Sequence, residues 1–324
     1  IGEELIKLSI KYGFDNLHEN WGGESNNVRN SHRYSTFYSP MIFSLALDEY
    51  VRESGVNIRF DTQAVYPIMN DKICLGIMTE TVSGREFYPA KVVIDATGDA
   101  SVCYRAGMPT INGENKLVYV SHGLSKEQIE NYDKNKDLLE FRKWYWTGGK
   151  GFNTSENGGI QDTSGTTSDS VNDFIRLGKE ETLKNVKSYG RENFELLSIP
   201  TMPQFRMIRH IVGDTTFYGS EDGVNDIADS VGCFSDFRKS NTHYQLPYST
   251  LYNKEFPNIL AAGRIISADG EGWQITRVIP VCALSGQVAG TAAAFSINDK
   301  IAVGDIDIAK LKNKLKDDKF IFNF

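Results

Sequence analysis

Ala90-Lys91-Val92-Val93-Ile94-Asp95-Ala96-Thr97-Gly98-Asp99 is a short run of β-branched residues that stops in small and polar ones. Such a run suits a strand covered on both faces, as in a parallel sheet flanked by other layers. In open α/β sheets ligands bind beyond the carboxyl ends of such strands, and small residues there let them approach the backbone. An ordinary Thr-Gly-Asp turn after a buried strand is the competing reading of this stretch alone.

Upstream, Ser39-Pro40 followed by Met41, Ile42, Leu45, Ala46 and Val51 has the N-cap, the first-turn proline and the i, i+3, i+4 apolar face of a helix, closed by Gly55. Strands are predicted over Val56 to Val65, Ile73 to Val82 and Glu86 to Tyr88, the last two joined by a Ser83-Gly84 turn. Downstream, helical signals run over Ser125 to Trp146 and Asp173 to Tyr189, with strand-like pieces around Met207 to Tyr218. Residues 148 to 170 are rich in Gly, Ser, Thr, Asn and Asp and are expected to form a long loop, either a tolerated insertion or a lid.

The α/β character returns near the end. Asn258-Ile259-Leu260-Ala261-Ala262 reads as a buried strand that runs through the glycine-rich Gly263 to Gly272 stretch into a helix over Val278 to Ile297, with Pro280 in its first turn. That helix start offers backbone N-H groups and a partial positive charge to an anion. Cys282, Gly286, Ala289, Gly290 and Ala293 are expected on one flat face packed against a sheet. Cys282 is read as a small packing residue, with a thiol activated by the helix start as the alternative.

The chain of 324 residues has a formal net charge of -7, which leaves no basic field of the kind nucleic-acid binders use, so DNA and RNA are not expected partners. Apolar runs are broken by Gly or polar residues before the roughly 18 needed to span a bilayer, so no membrane span is expected. Cys74, Cys103, Cys233 and Cys282 are scattered and form no CxxC pair, which fits packed thiols in a reducing cytoplasm. His18, His32, His122, His210 and His243 lack the short spacings that place two imidazoles on one ion, and no metal is expected. Ile1 is neither an initiator Met nor part of a signal peptide, so further residues are expected ahead of it.

Taken in order, several motifs occur together: the helix from Pro40, Gly55-Val56, Ala90 to Asp99, Pro203 with Arg206 and Arg209, Gln245-Leu246-Pro247-Tyr248, Ala262-Gly263-Arg264 and Arg277-Val278-Ile279-Pro280. The pattern resembles the FAD-dependent oxidoreductase family of the glutathione-reductase-like type over nearly the whole chain. The resemblance implies an α/β, Rossmann-like, three-layer FAD/NAD(P)-binding fold with an inserted α+β substrate domain. The implied boundaries are 1–116 for the first part of the FAD-binding domain, 117–245 for the inserted domain and 246–324 for the return.

By that resemblance the cofactor is FAD. Val65 is expected by its adenine end, Ala96, Thr97, Gly98 and Asp99 by its ADP portion, and Gly263 with Arg264 near the ribityl and pyrophosphate. Arg277 and Val278 are expected at the flavin ring. The family also begins with a strand, a GxGxxG turn and a helix, which have no counterpart in this sequence, so a stretch of about 30 residues or more is expected upstream. Without that strand, unpaired backbone and an apolar groove are expected, to be filled by another segment or another chain.

The implied activity of the full-length protein is hydride transfer between a small organic substrate and flavin N5, with a second electron carrier that no sequence feature identifies. No residue can be assigned as the catalytic base. Arg206, Arg209, His210, His243 and Tyr244 are candidates to line a polar pocket and bind a carboxylate or hydroxyl, set against ordinary ion pairing. Trp144, Tyr145 and Trp146 offer stacking faces for a sugar or an aromatic substrate, set against core packing. A homo-oligomer stays open. The alternative from a different class is a cofactor-free fragment or non-enzymatic binding module that keeps the fold. A nicotinamide-only dehydrogenase is disfavoured by the hairpin between Val65 and Val92 and by the Gly263 to Gly290 element.

Overall fold

A computed structural model describes residues 2–13, 17, 38–148 and 163–323. Helix α1 (Gly2–Ile10) and α2 (Pro40–Glu53) precede a meander of β1 (Gln63–Asn70), β2 (Ile73–Thr81) and β3 (Gly84–Pro89). Strand β4 (Val93–Asp95), α3 (Ser101–Arg105) and β5 (Thr110–Asn112) follow. Next come β6 (Val118–Ser125), α4 (Lys126–Asn135), β7 (Trp144–Gly148), α5 (Ser168–Tyr189) and β8 (Phe194–Ser198). The chain continues through β9 (Arg209–Ile211), β10 (Ser230–Ser235), β11 (His243–Pro247) and β12 (Ile259–Ala261), then α6 (Gly270–Thr276), α7 (Ile279–Asp299) and α8 (Ile308–Asp317). Contacts divide the chain into two compact units, one of residues 1–59 with 115–205 and one of residues 60–114 with 206–324.

The second unit is built on β4 and β12, which pair in parallel with Ile259 beside Val93, Leu260 beside Ile94 and Ala261 beside Asp95. Alternation sorts these side chains. Val93, Ile259 and Ala261 share a buried cluster with Cys74 of β2 and with Ala64, Met69 and Ile77 of the meander, whereas Leu260 points into a cluster with Val288, Ala289 and Ala292 of α7. Meander, parallel pair and helix thus form three layers, and each large aliphatic buried between them contributes about 1.5–3 kcal/mol.

Asn258 ties two of these layers together. Its side chain accepts from the Cys74 N-H at 2.9 Å and donates to the Cys74 and Lys91 carbonyls at 2.7 and 3.0 Å, a bond pattern like that of another strand residue. Among the described residues β4 pairs on one edge only, and Ile94 stays 37% exposed.

The first unit carries an antiparallel sheet in the order β7-β6-β8. Helix α5 packs on it so closely that Gly178 lies against the buried Tyr119 ring, where a Cβ would come within 2.4 Å. Thr182 Oγ1 lies 3.3 Å from Thr147 Oγ1 in the same interface.

Several sequence expectations are corrected. The strand predicted from Val56 begins at Gln63, because Asp61 takes φ +49° and the Thr62 hydroxyl bonds the Phe60 carbonyl. The helical signal from Ser125 to Trp146 ends at Asn135, where Lys136 adopts φ +54°, and Trp144 to Gly148 is a strand. In the Met207 to Tyr218 region only Arg209–Ile211 is strand. The 148–170 loop falls largely on residues 149–162, outside the described residues, as do His18 and His32; Ser168 already belongs to α5, capped by Thr167. Met41 and Leu45, expected on a packed face of α2, are exposed while Ala46 is buried.

Helix α7 also differs from expectation. Its buried face is Val281, Leu284, Ser285, Val288, Ala289, Ala292, Ala293 and Ser296, and nothing lies within 4 Å of a Cβ built on Gly286 or Gly290. Gly286 is half-buried and Gly290 exposed, because at about 100° per residue they fall roughly 110° and 150° from the centre of that buried face. By length and composition α7 could cross a bilayer, contrary to the expectation that no segment could; in this fold its apolar face forms part of the core.

Candidate functional site

The end of β4 is organised by one buried carboxylate. Asp95 accepts from the Thr97 N-H at 3.0 Å, the Thr97 hydroxyl at 2.6 Å and the Cys103 N-H at 2.9 Å, which folds the chain back into α3. Ala96 and Thr97 are exposed, and Asp99 caps the turn by accepting from the Ser101 N-H at 3.0 Å. Gly98 takes φ +78°, and its neighbour across the turn is Arg264, whose Nε donates to the Gly98 carbonyl at 2.6 Å. The bare face of Gly98, expected to admit a ligand, is covered by the chain's own guanidinium.

Val65 lies on β1, where its carbonyl accepts from Arg105 at 2.9 Å. Gly263 follows β12 with φ +80°, and its N-H donates to Ser285 Oγ at 2.9 Å, fixing the loop to α7. Sequence reasoning missed helix α6 between this loop and α7. Asp269 caps it, and Trp273 anchors it by donating from the indole N-H to the Arg264 carbonyl at 2.8 Å. Helix α6 delivers Gln274 and Arg277, and Gln274 Oε1 accepts two bonds from the Arg277 guanidinium at 3.0 and 2.8 Å.

Arg277 is the centre of a positive cluster. Burial and the nearby guanidiniums of Arg206, Arg238 and Arg264 pull its pKa down to about 10. Burial likewise lowers Arg206 and Arg264. Arg238 is neutralised by Asp236 at 3.0 Å and Glu271 at 2.8 Å. Immediately after Arg277, Val278 begins α7 without a side-chain cap, and Pro280 stands in its first turn. Thr276 Oγ1 beside this point is fully buried and has no hydrogen-bond partner among the described residues. Arg277 directly precedes the N-terminus of a long helix in sequence, and a guanidinium together with a helix N-terminus attracts an anion or a group that becomes one on reduction. Cys282 in the first turn is not activated: burial raises its thiol although Arg264 and Arg277 pull it down.

The other sequence candidates are dispersed. The Arg209 guanidinium sits over the Tyr104 ring at 4.5 Å and donates to the Asp99 carbonyl at 3.5 Å. His210 is fully buried, edge-on to Trp273 at 4.5 Å, with Nδ1 2.8 Å from the Ile211 carbonyl. His243 Nδ1 lies 2.8 Å from Ser235 Oγ on the β10-β11 hairpin. Tyr244 is a core residue packed edge-on against Phe217. Arg206 alone of these shares the cluster around Arg277.

A family model described as FAD dependent oxidoreductase matches residues 10–157 and 124–315. No curated protein matches the chain. Similar solved structures include the myxobacterial chondrochloren halogenase CndH, a variant of FAD-dependent halogenases, at TM-score 0.40 and 9% identity over 88% of this chain and 57% of that one. They also include p-nitrophenol 4-monooxygenase PnpA from Pseudomonas putida DLL-E4, at TM-score 0.35 and 11% identity over 86% of this chain and 58% of that one. The chain therefore spans less than two thirds of the length of either.

Proposed function

The chain belongs to the FAD-dependent oxidoreductase family, and from that premise we propose that the protein it forms exchanges a hydride between a small organic substrate and FAD. Its mixed α/β architecture is of the FAD/NAD(P)-binding type. FAD, when bound, supplies the two-electron redox chemistry at N5.

The observation that carries this reading is the meeting of Arg277 with the uncapped start of α7. The donor set fits a group that carries or develops negative charge, and the unpartnered Thr276 Oγ1 adds a buried polar atom beside it. In this proposal Arg277 and Val278 hold the flavin end, Gly263 and Arg264 the phosphate side, and Val65 with Ala96, Thr97, Gly98 and Asp99 the adenosine side. Gln274 orients the Arg277 guanidinium through its two hydrogen bonds. Arg206, within electrostatic reach of Arg277, is the residue we propose to bind a substrate carboxylate. Four free thiols, two of them buried, support a cytoplasmic location.

A cofactor-free binding module is the second reading, favoured by Arg264 covering Gly98. Visible absorption of the purified protein, alone and after addition of FAD and gel filtration, separates the two. Retained flavin bands support the oxidoreductase, and a protein that neither carries nor retains FAD leaves the binding module.

A further inference from the structure

A cleft of about 660 Å³ opens in the first unit, between the start of α4, the start of β7 and the segment that joins α5 to β8. Its size lies within the range of small-molecule sites. Trp144, on the edge strand β7, and Tyr189, at the end of α5, line it and are 53% and 41% exposed, so two large aromatic faces are open to solvent. Tyr145 and Phe194 also line the cleft and fix the aromatic wall: Tyr145 stands edge-on to Tyr189 at 5.8 Å and to Phe194 at 4.7 Å, and its hydroxyl donates to Gln128 at 2.7 Å. His122 meets the Trp144 ring edge-on at 6.4 Å.

Lys126, Lys143, Glu127 and Glu130 form the polar rim. All four are exposed, and among the described residues none makes an ion pair with another. Two ammonium groups and two carboxylates cancel, so a strongly anionic ligand meets the glutamates and a strongly cationic one the lysines. Ammonium groups only donate hydrogen bonds and carboxylates only accept them. A hydroxyl does both. A neutral ring with a hydrophobic face and a rim of hydroxyls satisfies the aromatic wall and both kinds of polar group together.

We propose that this cleft is a carbohydrate-binding site that takes a neutral pyranose ring against Trp144, with its hydroxyls on the Lys126, Lys143, Glu127 and Glu130 rim. The site is independent of the cofactor reading, since every residue in it belongs to the first unit. The test is saturation-transfer difference NMR on the full chain with cellobiose, maltose, galactose and N-acetylglucosamine at millimolar concentrations, with 4-hydroxybenzoate as a planar acidic competitor.

At least one saccharide is expected to take up saturation on its ring C-H protons. Trp144→Ala is expected to weaken that binding about tenfold or more, and Trp144→Phe to retain most of it. Glu130→Gln, at an exposed position that leaves folding intact, is expected to weaken the same saccharide without abolishing it. Absence of binding by every saccharide, preference for 4-hydroxybenzoate, or saccharide binding unchanged in both Trp144→Ala and Glu130→Gln would overturn the proposal.

Discussion

Arg264 Nε donates to the Gly98 carbonyl at 2.6 Å, and the same guanidinium stands 2.8 Å from where a Cβ on Gly98 would lie. The glycine is required twice, by this close approach and by φ +78°, where an L side chain costs about 1–2 kcal/mol. Gly98→Ala should therefore lower stability by about 1–3 kcal/mol, read from the urea midpoint. In an Arg264→Ala background only the backbone cost remains, so the loss shrinks. A neutral Gly98→Ala would remove the steric account of this turn.

Glycines at two helical sites should respond with opposite sign. A helix-interior glycine is ordinarily about 1 kcal/mol worse than alanine. At Gly286, where nothing lies within 4 Å of the added Cβ, Gly286→Ala should stabilise by up to about 1 kcal/mol. At Gly178 the same change drives a methyl to within 2.4 Å of the buried Tyr119 ring, and overpacking of about 1–3 kcal/mol outweighs the propensity gain. Thermal unfolding of the pair checks both signs, and stabilisation by Gly178→Ala would mean α5 does not pack on β6 as closely as described.

The strand at Val93 to Asp95 and its partner at Ile259 to Ala261 were legible because β-branched and small residues leave no other buried use for them. The start of α7 was legible from Pro280. Helix α6 was not, since Gly270 and Gly272 argue against a helix locally; Gly272 is there because a Cβ would strike the Phe217 carbonyl at 2.3 Å, a tertiary contact no local rule contains. The run Trp144-Tyr145-Trp146 read as the end of a helix, and only pairing with β6 makes it a strand. The electrostatic coupling of Arg206, Arg238 and Arg264 to Arg277 depends on long-range folding, so the family resemblance, which implies cofactor roles for Arg264 and Arg277, contains no sign of it.

His210 gives the fold an acid-sensitive point. Burial lowers its pKa below the ordinary 6.5, and Nδ1 already faces the Ile211 carbonyl, so the neutral ring carries its proton there and Nε2 is a buried acceptor without a partner among the described residues. The unfolded chain binds the proton more readily than the folded one. The stability this neutral residue contributes is present in full above pH 6.5 and falls as the pH drops from there through the lower folded value. His210→Phe, which cannot titrate and can keep the edge-on contact with Trp273, should flatten that acid limb of urea midpoint against pH. An acid limb unchanged by the substitution would assign the sensitivity to other groups.

Arg277 separates charge from shape at the proposed cofactor site. Its guanidinium is held by Gln274 and lies within electrostatic reach of Arg206 and Arg264, so an anionic ligand relieves a repulsion as well as gaining a charge-assisted hydrogen bond. Such a bond is worth roughly 1.5–3 kcal/mol. Arg277→Gln should weaken FAD binding by about ten- to a hundredfold in a fluorescence titration, while Arg277→Lys, which keeps the charge and loses the planar fork, should fall between that variant and the original. Raising the salt concentration should weaken FAD binding more in the original protein than in Arg277→Gln, because only the original retains this guanidinium to be screened. Equal FAD affinity in all three proteins would show that the cofactor does not reach Arg277, and would move the flavin end of the proposed site away from the start of α7.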